Sequence, residues 1–236
     1  MKTSPKSLKA SQSKPIAILY EDDQYVVFDK PAGLLVIPTP KKEQRTLVNI
    51  VNWQKADEKT SKLYPCHRLD RDTSGVIIFA WGKSNQKCMM DAFKSRQVGK
   101  KYAAIVQGVL KKKSGQIKSV IKDFDAQKYR SRVKGRFAET DYRVLDQGRD
   151  FSFLEVFPKT GRTNQIRIHL SQMGHPLVGE RKYAFAKDYL LKFRRIALHA
   201  YTLECQNPMT KKMIKVTAPL PEDMEKFLSN HAYQGV

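Results

Sequence analysis

Short apolar runs bounded by turn-forming residues recur along the chain and predict a structure rich in β-strands. Near the N-terminus, IAILYED and QYVVFDKP are separated by Asp22 and Asp23, which predicts a β-hairpin. The stretch from Gly75 to Trp81 is dense in β-branched and aromatic residues, which predicts a buried strand. The remaining predicted strands are KYAAIVQGVL, GQIKSVI, FAETDYRVLD, FSFLEVFP, RIALHAYTLEC and KMIKVTAP.

Helical periodicity is limited to a few segments between these strands. The predicted helices cover residues 46–55, 83–97, 163–173 and a C-terminal segment that begins at Glu222. Leu47, Ile50 and Val51 share one face of the first helix. In the second, Cys88, Met89 and Phe93 are at helical spacing, the Met and Phe side chains are expected in the core, and Ser84 is the expected N-cap.

Charge sets this chain apart from an ordinary soluble domain. Its 236 residues suffice for one large domain or two small ones, and 44 Lys and Arg against 23 Asp and Glu give a formal charge of +21. Solubility requires a net charge of only about 2 to 8, so the excess predicts a polyanionic partner. Nucleic acid is favoured over an acidic membrane because the basic residues do not lie on one amphipathic helix.

The basic residues are concentrated in the middle of the chain. Between Lys94 and Arg136 there are 14 basic and two acidic residues, interleaved with Tyr102, Phe124 and Tyr129. Such a segment is typical of a surface that grips phosphates and stacks bases, although a solvated basic face is the alternative. Within it, a turn of three consecutive lysines is expected to bind RNA: Lys111, Lys112 and Lys113.

Neither a metal nor an organic cofactor is indicated. The cysteines Cys66, Cys88 and Cys205 are odd in number and widely spaced, and the five histidines include no HExxH motif. GxGxxG and GxxxxGKS/T are both absent. No apolar run approaches the roughly 18 residues of a membrane span, and no secretory signal is present, so a cytoplasmic location is expected.

The segment CHRLDRDTSG, residues 66–75, contains the most distinctive chemistry of the chain. It sets Asp70 and Asp72 among His67, Arg68 and Arg71. Cations on both sides would keep a carboxylate ionised, as a nucleophile or a base requires. The same residues also suit a polar turn that leads into a strand, and composition alone slightly favours the turn.

The longer motifs decide between these two interpretations. HRLDRDTSG matches HRLDxxTSG, the active-site signature of the RluA-type pseudouridine synthases, at every fixed position. The resemblance runs from about Ile16 to Phe227 and covers four more segments in order: DKPAGLLVIP, KYAAIVQG, GRTNQIRIHLSQMGHPLVGERKYA, and RIALHAYTLECQNPMTKK with APLP. It implies an α+β fold with a mixed, mainly antiparallel central sheet, flanking helices and a basic cleft. The implied organisation is a flexible basic arm over residues 1–14, for which an inert tail is the alternative, and one catalytic domain over residues 15–236 without an S4-type module.

The resemblance also implies an activity and roles for four residues. The family isomerises uridine to pseudouridine in RNA, and its essential carboxylate corresponds to Asp70. Arg167 corresponds to the arginine that pairs with this carboxylate and is expected to hold its pKa near or below the ordinary value. Tyr102 corresponds to the tyrosine that stacks on the target base and helps to remove the C5 proton. Arg68 corresponds to the arginine that fills the space left by the flipped nucleotide.

Each of these roles has a structural alternative on the residues alone. Arg167 also suits a surface or phosphate-binding position, Tyr102 an ordinary strand aromatic, and Arg68 an ion pair with Asp70 or Asp72. Whether the Asp70 carboxylate attacks C1′ or removes a proton from C2′ stays open.

Substrates and partners follow from the same resemblance. The expected partner is tRNA, large-subunit ribosomal RNA, or both, with no obligate protein partner. A noncatalytic RNA-binding or RNA-chaperone protein with the same fold is the main rival, and a base-flipping enzyme acting on DNA is another. Asn164, Glu180 and Asn207 depart from the family pattern, where His, Asp and His are common, which puts local RNA contacts in doubt.

Overall fold

The computed structural model describes residues 14–56, 61–122, 134–185 and 191–231. Its elements are β1 (Ile18–Glu21), β2 (Tyr25–Lys30), α1 (Leu47–Gln54), β3 (Leu63–Pro65), β4 (Ser74–Trp81), α2 (Gly82–Lys94), β5 (Gly99–Gln107), β6 (Ser114–Ile121), β7 (Arg136–Gln147), β8 (Phe151–Pro158), α3 (Gln165–Gln172), β9 (Leu198–Gln206), β10 (Met213–Thr217) and α4 (Glu222–His231). Every predicted strand and helix has a counterpart among them.

All ten strands join one sheet, in the order β1-β2-β4-β9-β5-β8-β7-β6, with β3 paired to β4 and β10 paired to β9. Each pairing is antiparallel except that of β4 with β9. The α+β fold with a mixed, mainly antiparallel sheet is therefore confirmed. The hairpin of β1 and β2 is also confirmed, since the Asp22 N–H donates to the carbonyl of Tyr25 across the turn at 2.9 Å.

The parallel contact of β4 with β9 joins the two halves of the sheet, and it is only two residue pairs long. Gly75 makes it possible: its φ is +107°, and a Cβ there would lie 2.2 Å from the carbonyl oxygen of Ala200. Next to it, Ser74 Oγ and His199 Nδ1 are hydrogen-bonded at 2.9 Å. The loop that carries Asp70 thus ends where the two half-sheets meet.

The side chains of β4 alternate between two cores, as the twofold period of a strand requires. All eight of its residues are buried, which confirms the predicted buried strand. One core includes Met89 of α2, and the other includes Leu47 and Val51 of α1. β4 contributes Val76, Ile78 and Ala80 to the first core and Ile77, Phe79 and Trp81 to the second. Each large apolar side chain buried in this way contributes about 1.5–3 kcal/mol of transfer free energy.

The start of α2 differs from the sequence prediction. Helix α2 begins at Gly82, with Trp81 as its N-cap and no side-chain capping bond, so Ser84 lies inside the first turn. The prediction of Ser84 as the cap was wrong because Gly82, at φ +75°, turns the chain directly from strand into helix. The helix therefore starts two residues before the first residue that has a capping side chain.

Two sequence predictions fall where no structure is described. The N-terminal arm lies outside the described residues except for Lys14, and so do Phe124 and Tyr129 of the basic segment. In the part of the chain that is described, no helix is both long enough and apolar enough to span a membrane.

Candidate active site

A cleft of about 910 Å³ opens between the two halves of the sheet. Its walls come from the loop between β3 and β4, the start of β5, the end of β8 and the start of α3. It brings together Arg68, Asp70, Tyr102 and Arg167, which the sequence predicted from distant motifs. The lining includes seven Lys and Arg side chains, Arg68, Lys94, Arg96, Lys100, Lys159, Arg162 and Arg167, against two carboxylates, Asp70 and Glu139. The cleft is therefore basic, with an acidic group inside it.

The loop that carries Asp70 is held through its backbone from several directions. The N–H of Thr73 donates to the carbonyl of Asp70 at 3.2 Å, which closes a tight turn. Lys30 at the end of β2 donates to the carbonyl of Arg71 at 2.9 Å. Arg195, which precedes β9, donates to the carbonyl of Asp72 at 3.4 Å. These contacts leave the Asp70 side chain on the cleft side of a restrained loop.

Lys30 was not singled out as a site residue by the sequence, although it lies within a segment that resembles the family. Its side chain is fully buried, and Nζ donates to the carbonyls of Leu34 at 2.7 Å, Pro31 at 2.9 Å and Arg71 at 2.9 Å. Burial lowers its pKa to about 7, and the charges of Asp72 and Asp70 oppose this decrease. Nothing local in YVVFDKP shows that this lysine turns inward, because its partners lie up to 41 residues away.

His67 contributes to the loop as a hydrogen-bond acceptor. Its Nε2 accepts the backbone N–H of Ile78 on β4 at 3.2 Å, and its ring lies 4.7 Å from the ring of Phe93. Burial, with help from the charge of Lys100, lowers the pKa of His67 to about 3. The imidazole is therefore neutral at physiological pH, as an acceptor must be.

The carboxylate of Asp70 is only partly shielded, with 25% of its side chain exposed, and its Oδ2 lies 3.7 Å from Nη1 of Arg167. Burial raises the pKa of Asp70, while Arg167 and Arg68 lower it and Glu180 raises it further. The expectation of a pKa near or below the ordinary value was therefore wrong. The loss of hydration outweighs the two arginines, because the nearer of them is held mainly by another carboxylate.

That other carboxylate is Glu180, whose side chain is fully buried. It accepts from Nε of Arg167 at 2.7 Å and from Nη2 at 2.8 Å. Gly179 places it there: at φ +81°, a Cβ on Gly179 would lie 1.8 Å from the carbonyl oxygen of Arg195. Burial disfavours the charge on Arg167, but Glu180 outweighs this effect and raises the pKa of the guanidinium.

Tyr102 is a strand aromatic packed in the core and also lines the cleft, and its role in stacking on the target base stays a prediction. It pairs with Val156 of β8 on one side and with Ala200 of β9 on the other, and its ring packs against two of the hydrophobic cores. It also lines the cleft that contains Asp70. Burial, together with the charge of Asp70, raises the pKa of its hydroxyl. The phenol therefore stays protonated at neutral pH.

The remaining predicted residues lie in different places. Arg68 is exposed at the cleft and forms no ion pair with Asp70 or Asp72, although its charge lowers the pKa of Asp70. The lysine turn, Lys111–Lys113, is exposed between β5 and β6 and does not line the cleft. Lys113 bonds to Gln147 on the neighbouring strand β7. The lysine turn lies at the opposite end of β5 from Tyr102, and its role in RNA binding stays a prediction.

The three departures from the family pattern have separate structural roles. Asn164 and Glu180 both contact Arg167. Asn207 is fully buried outside the cleft, where its amide donates to Asp22 at 3.0 Å and ties the β9–β10 turn to the β1–β2 turn. Within the described ranges, no three His, Cys, Asp or Glu side chains are grouped so that they could hold a metal ion.

A basic cleft that holds Asp70 beside a protonated phenol and a largely buried arginine is suited to chemistry on a nucleic acid. A family model described as RNA pseudouridylate synthase matches residues 24–172. The chain is 36% identical over 234 residues to ribosomal large subunit pseudouridine synthase D of Xanthomonas campestris pv. campestris, covering 93% of this chain and 70% of that one. The protein of the same name from Xylella fastidiosa is 35% identical over 232 residues, covering 92% and 70%.

A solved structure supports the same conclusion. Human RNA pseudouridylate synthase domain containing 4 superposes with a TM-score of 0.73 at 25% identity, covering 90% of this chain and 91% of that one. The chain belongs to the RNA pseudouridylate synthase family, of the RluA type that its HRLDRDTSG motif indicated. It is an isomerase that converts uridine to pseudouridine in RNA.

Proposed function

We propose that Asp70 is the catalytic carboxylate of this isomerase and that Arg167, Tyr102 and Arg68 assist it in the cleft. The observation that carries the proposal is the location of Asp70, a partly exposed carboxylate 3.7 Å from the largely buried Arg167, in a cleft lined by seven basic side chains and one other carboxylate, Glu139. Binding RNA phosphates requires no carboxylate there, and a negative group would weaken such binding. Its presence is explained if it acts on the sugar or the base.

The reaction rearranges bonds within one nucleotide. The bond from N1 to C1′ breaks, the uracil turns, and a bond forms from C5 to C1′. The proton on C5 is lost and N1 gains one, so the composition of the RNA is unchanged. In the proposed reaction, Asp70 either attacks C1′ and leaves as the new bond forms, or removes the C2′ proton and later returns one. Both routes require an ionised carboxylate next to the ribose.

Tyr102 and Arg68 supply two further needs of this reaction. The neutral ring of Tyr102, packed on one side against the core, offers a rigid face on which the turning uracil can stack. The target nucleotide must leave its helical stack before Asp70 can reach it, at a cost of a few kcal/mol. Arg68 is exposed at the cleft and unpaired with either nearby aspartate, so its planar guanidinium is available to occupy the vacated space.

The substrate we propose is a uridine in structured RNA of the large ribosomal subunit, in tRNA, or in both. The names of the relatives from Xanthomonas campestris and Xylella fastidiosa favour the ribosomal RNA. We further propose that residues 15–236 act as one catalytic domain in the cytoplasm, which the sheet shared by all ten strands supports. Mapping pseudouridines in RNA from cells with and without this protein identifies the modified position.

Substitution of the carboxylate tests the proposed role. Asp70→Asn keeps the size of the side chain and removes its charge, so we expect pseudouridine formation to be abolished. RNA affinity should stay within about threefold, because it comes mostly from phosphate contacts. The measurement is release of tritium from RNA that carries C5-labelled uridine.

Asp72→Asn is the matched control, because Asp72 lies two residues away, is exposed, and does not line the cleft. It should retain full activity. An Asp70→Asn enzyme that released tritium at the wild-type rate would contradict the assignment.

A further inference from the structure

The guanidinium of Arg167 is held on three sides, and Asp70 is the loosest of its partners. Glu180 binds Nε and Nη2 in a two-pronged contact at 2.7 and 2.8 Å. Asn164 Oδ1 accepts from Nη1 at 2.9 Å. Asp70 Oδ2 lies 3.7 Å from the same Nη1, beyond hydrogen-bond distance. The closest ion pair of Arg167 therefore does not include the proposed catalytic carboxylate.

The groups that hold Arg167 are themselves fixed. Glu180 Oε1 also accepts the backbone N–H of Lys182 at 2.8 Å and that of Tyr183 at 3.3 Å. The amide of Asn164 donates to the hydroxyl of Tyr183 at 3.0 Å, and the Tyr183 ring lies 5.1 Å from Cζ of Arg167. Glu180, Asn164 and Tyr183 thus hold Arg167 in place, and its Nη1 approaches Asp70 at 3.7 Å.

We propose that Glu180 and Asn164 are positioning residues that together hold Arg167 at a set distance from Asp70. The proposal rests on the role proposed for Asp70. A carboxylate bound by both prongs of an arginine has few lone pairs left for a sugar, whereas one that meets a single edge at 3.7 Å retains them. Glu180 thus binds Nε and Nη2 of Arg167. The positive charge of Arg167 still acts on Asp70, but the guanidinium does not occupy the lone pairs of the Asp70 carboxylate.

The two positioning residues are also two of the three departures from the family pattern. Glu180 reaches one methylene further than the common Asp, and Asn164 replaces the common His. Both departures meet on one guanidinium, although they lie 16 residues apart in the chain. We infer that these two residues are matched to each other. Changing one alone displaces Arg167, whereas changing both lowers kcat by less than the product of the two single effects.

Charged and titratable groups face Asp70 from several elements: Arg68 from its own loop, Lys30 from β2, Tyr102 from β5, Arg167 from α3, and Glu180 from the segment after α3. Among them, Glu180 raises the pKa of Asp70 through its negative charge, and Arg167 lowers it. Removing the charge of Glu180 therefore lowers the pKa of Asp70 directly. It also frees Arg167 to approach Asp70, which acts in the same direction.

The first test is Glu180→Gln, with kcat and KM measured by multiple-turnover tritium release as a function of pH. We expect kcat to fall about 10²-fold, because a displacement of about 1 Å at a reacting group costs this much. KM should change less than about threefold, since phosphate contacts dominate RNA affinity. The acid limb of the pH profile should move to lower pH, which a merely structural loss would not produce.

Glu155→Gln is the matched control. Glu155 is also a buried carboxylate, 9% exposed, and it pairs with Lys101 and Arg143. Neither of these partners lines the cleft, whereas Arg167, the partner of Glu180, does. The variant should lose stability, keep kcat within about twofold and leave the acid limb in place. If both variants lower kcat equally and neither moves the acid limb, the positioning role is refuted.

A second pair of variants keeps the test valid even if Glu180→Gln does not fold. Asn164→Gly removes the amide while suiting the backbone, because Asn164 has φ +53°. We expect it to lower kcat about tenfold and to move the acid limb in the same direction. The double variant Asn164→His with Glu180→Asp should be faster than the product of the two single effects, and strict multiplicativity would refute the matching.

These outcomes are separable from failure of the proposed function. An Asp70→Asn enzyme with wild-type activity would refute the role of Asp70, whatever Glu180 does. Loss of activity in Asp70→Asn, with wild-type kcat and pH profile in Glu180→Gln and Asn164→Gly, would refute only the positioning role.

Discussion

Lys30 beneath the Asp70 loop and the lysine turn between β5 and β6 carry the same chemical group in opposite surroundings. Lys30 is fully buried, and its Nζ has three carbonyl partners. The lysines of the turn are exposed, and none reaches the cleft. The comparison shows that lysine has two uses in this protein. Beneath the cleft, Lys30 fixes the backbone of the loop that carries the proposed catalytic residue Asp70, and at the turn the lysines add to a diffuse positive surface.

The same contrast separates the two arginines of the site. Arg167 is bound by Glu180, Asn164 and the Tyr183 ring, so its position is set before RNA arrives. Arg68 is exposed and paired with neither nearby aspartate, so its position can be chosen by the RNA. A fixed cation suits a reaction that starts from one geometry, whereas a free cation suits a gap that exists only after the nucleotide has left its stack.

The largest effect is expected from substitution of the buried lysine, Lys30. Lys30→Met removes the donor to three carbonyls, and each buried acceptor left without a partner costs about 1–3 kcal/mol. Removing the buried charge offsets part of this cost. We expect the free energy of unfolding, measured in urea, to fall by about 3 kcal/mol. kcat should fall as well, because Arg71 next to Asp70 loses its anchor.

Lys112→Met is the matched control and should change the free energy of unfolding by less than about 0.5 kcal/mol, because Lys112 is exposed.

The pH dependence of stability gives a second test of the buried lysine. The pKa of Lys30 is about 7 in the folded protein and about 10.4 when unfolded, so the unfolded chain binds more protons in this interval. Wild-type stability should therefore rise as the pH increases from about 7 to about 10, and the rise should be absent from Lys30→Met. Equal stability of Lys30→Met and Lys112→Met would contradict the comparison of the buried lysine with the exposed turn.

An intermediate effect is expected from substitution of Arg68. Arg68→Ala should slow single-turnover modification of a stem-loop by about tenfold, because the flipped nucleotide then leaves an unfilled gap. On a short unstructured strand, where no stack is broken, the rate should change less than about twofold. Equal losses on the two substrates would remove the gap-filling role.

The smallest effect is expected at the lysine turn. Neutralising Lys111, Lys112 and Lys113 to glutamine should weaken binding of many RNAs by a similar, several-fold factor and leave the single-turnover rate unchanged. Binding measured at several salt concentrations should show a shallower dependence, because fewer counterions are released when fewer phosphates are contacted. A change confined to one RNA would indicate base-specific recognition at the turn instead.

Most of the fold was predictable from local patterns. The hairpin of β1 and β2, the buried strand β4 and the helix α2 each follow from periodicity and turn residues within about 20 positions. The start of α2 was not predicted, since a capping residue was a weaker signal than the strand-to-helix turn at Gly82. The parallel contact of β4 with β9 was also not predicted, because its two residue pairs join positions 125 apart.

The residues of the candidate site also divide into those that local motifs predicted and one, Glu180, whose contact only the structure revealed. Asp70, Arg68, Tyr102 and Arg167 were found from motifs that are each contiguous in sequence. Glu180 was noted only as a departure, and its contact with Arg167 spans 13 residues and a turn at Gly179. That turn depends on a close approach to Arg195, which belongs to a different part of the chain. No local signal records such an approach.

The sequence by itself determined what this protein can bind and which reaction class it performs. An excess of 21 positive charges is a property of composition, and the HRLDRDTSG motif is a property of nine adjacent residues. Only the tertiary structure decided how the groups behave. Burial raises the pKa of Asp70 against two nearby arginines, and it makes Lys30 a fixed anchor while Lys112 stays a surface charge. The reason is that hydration is lost or kept according to which distant segments pack around a side chain, and this depends on the whole fold.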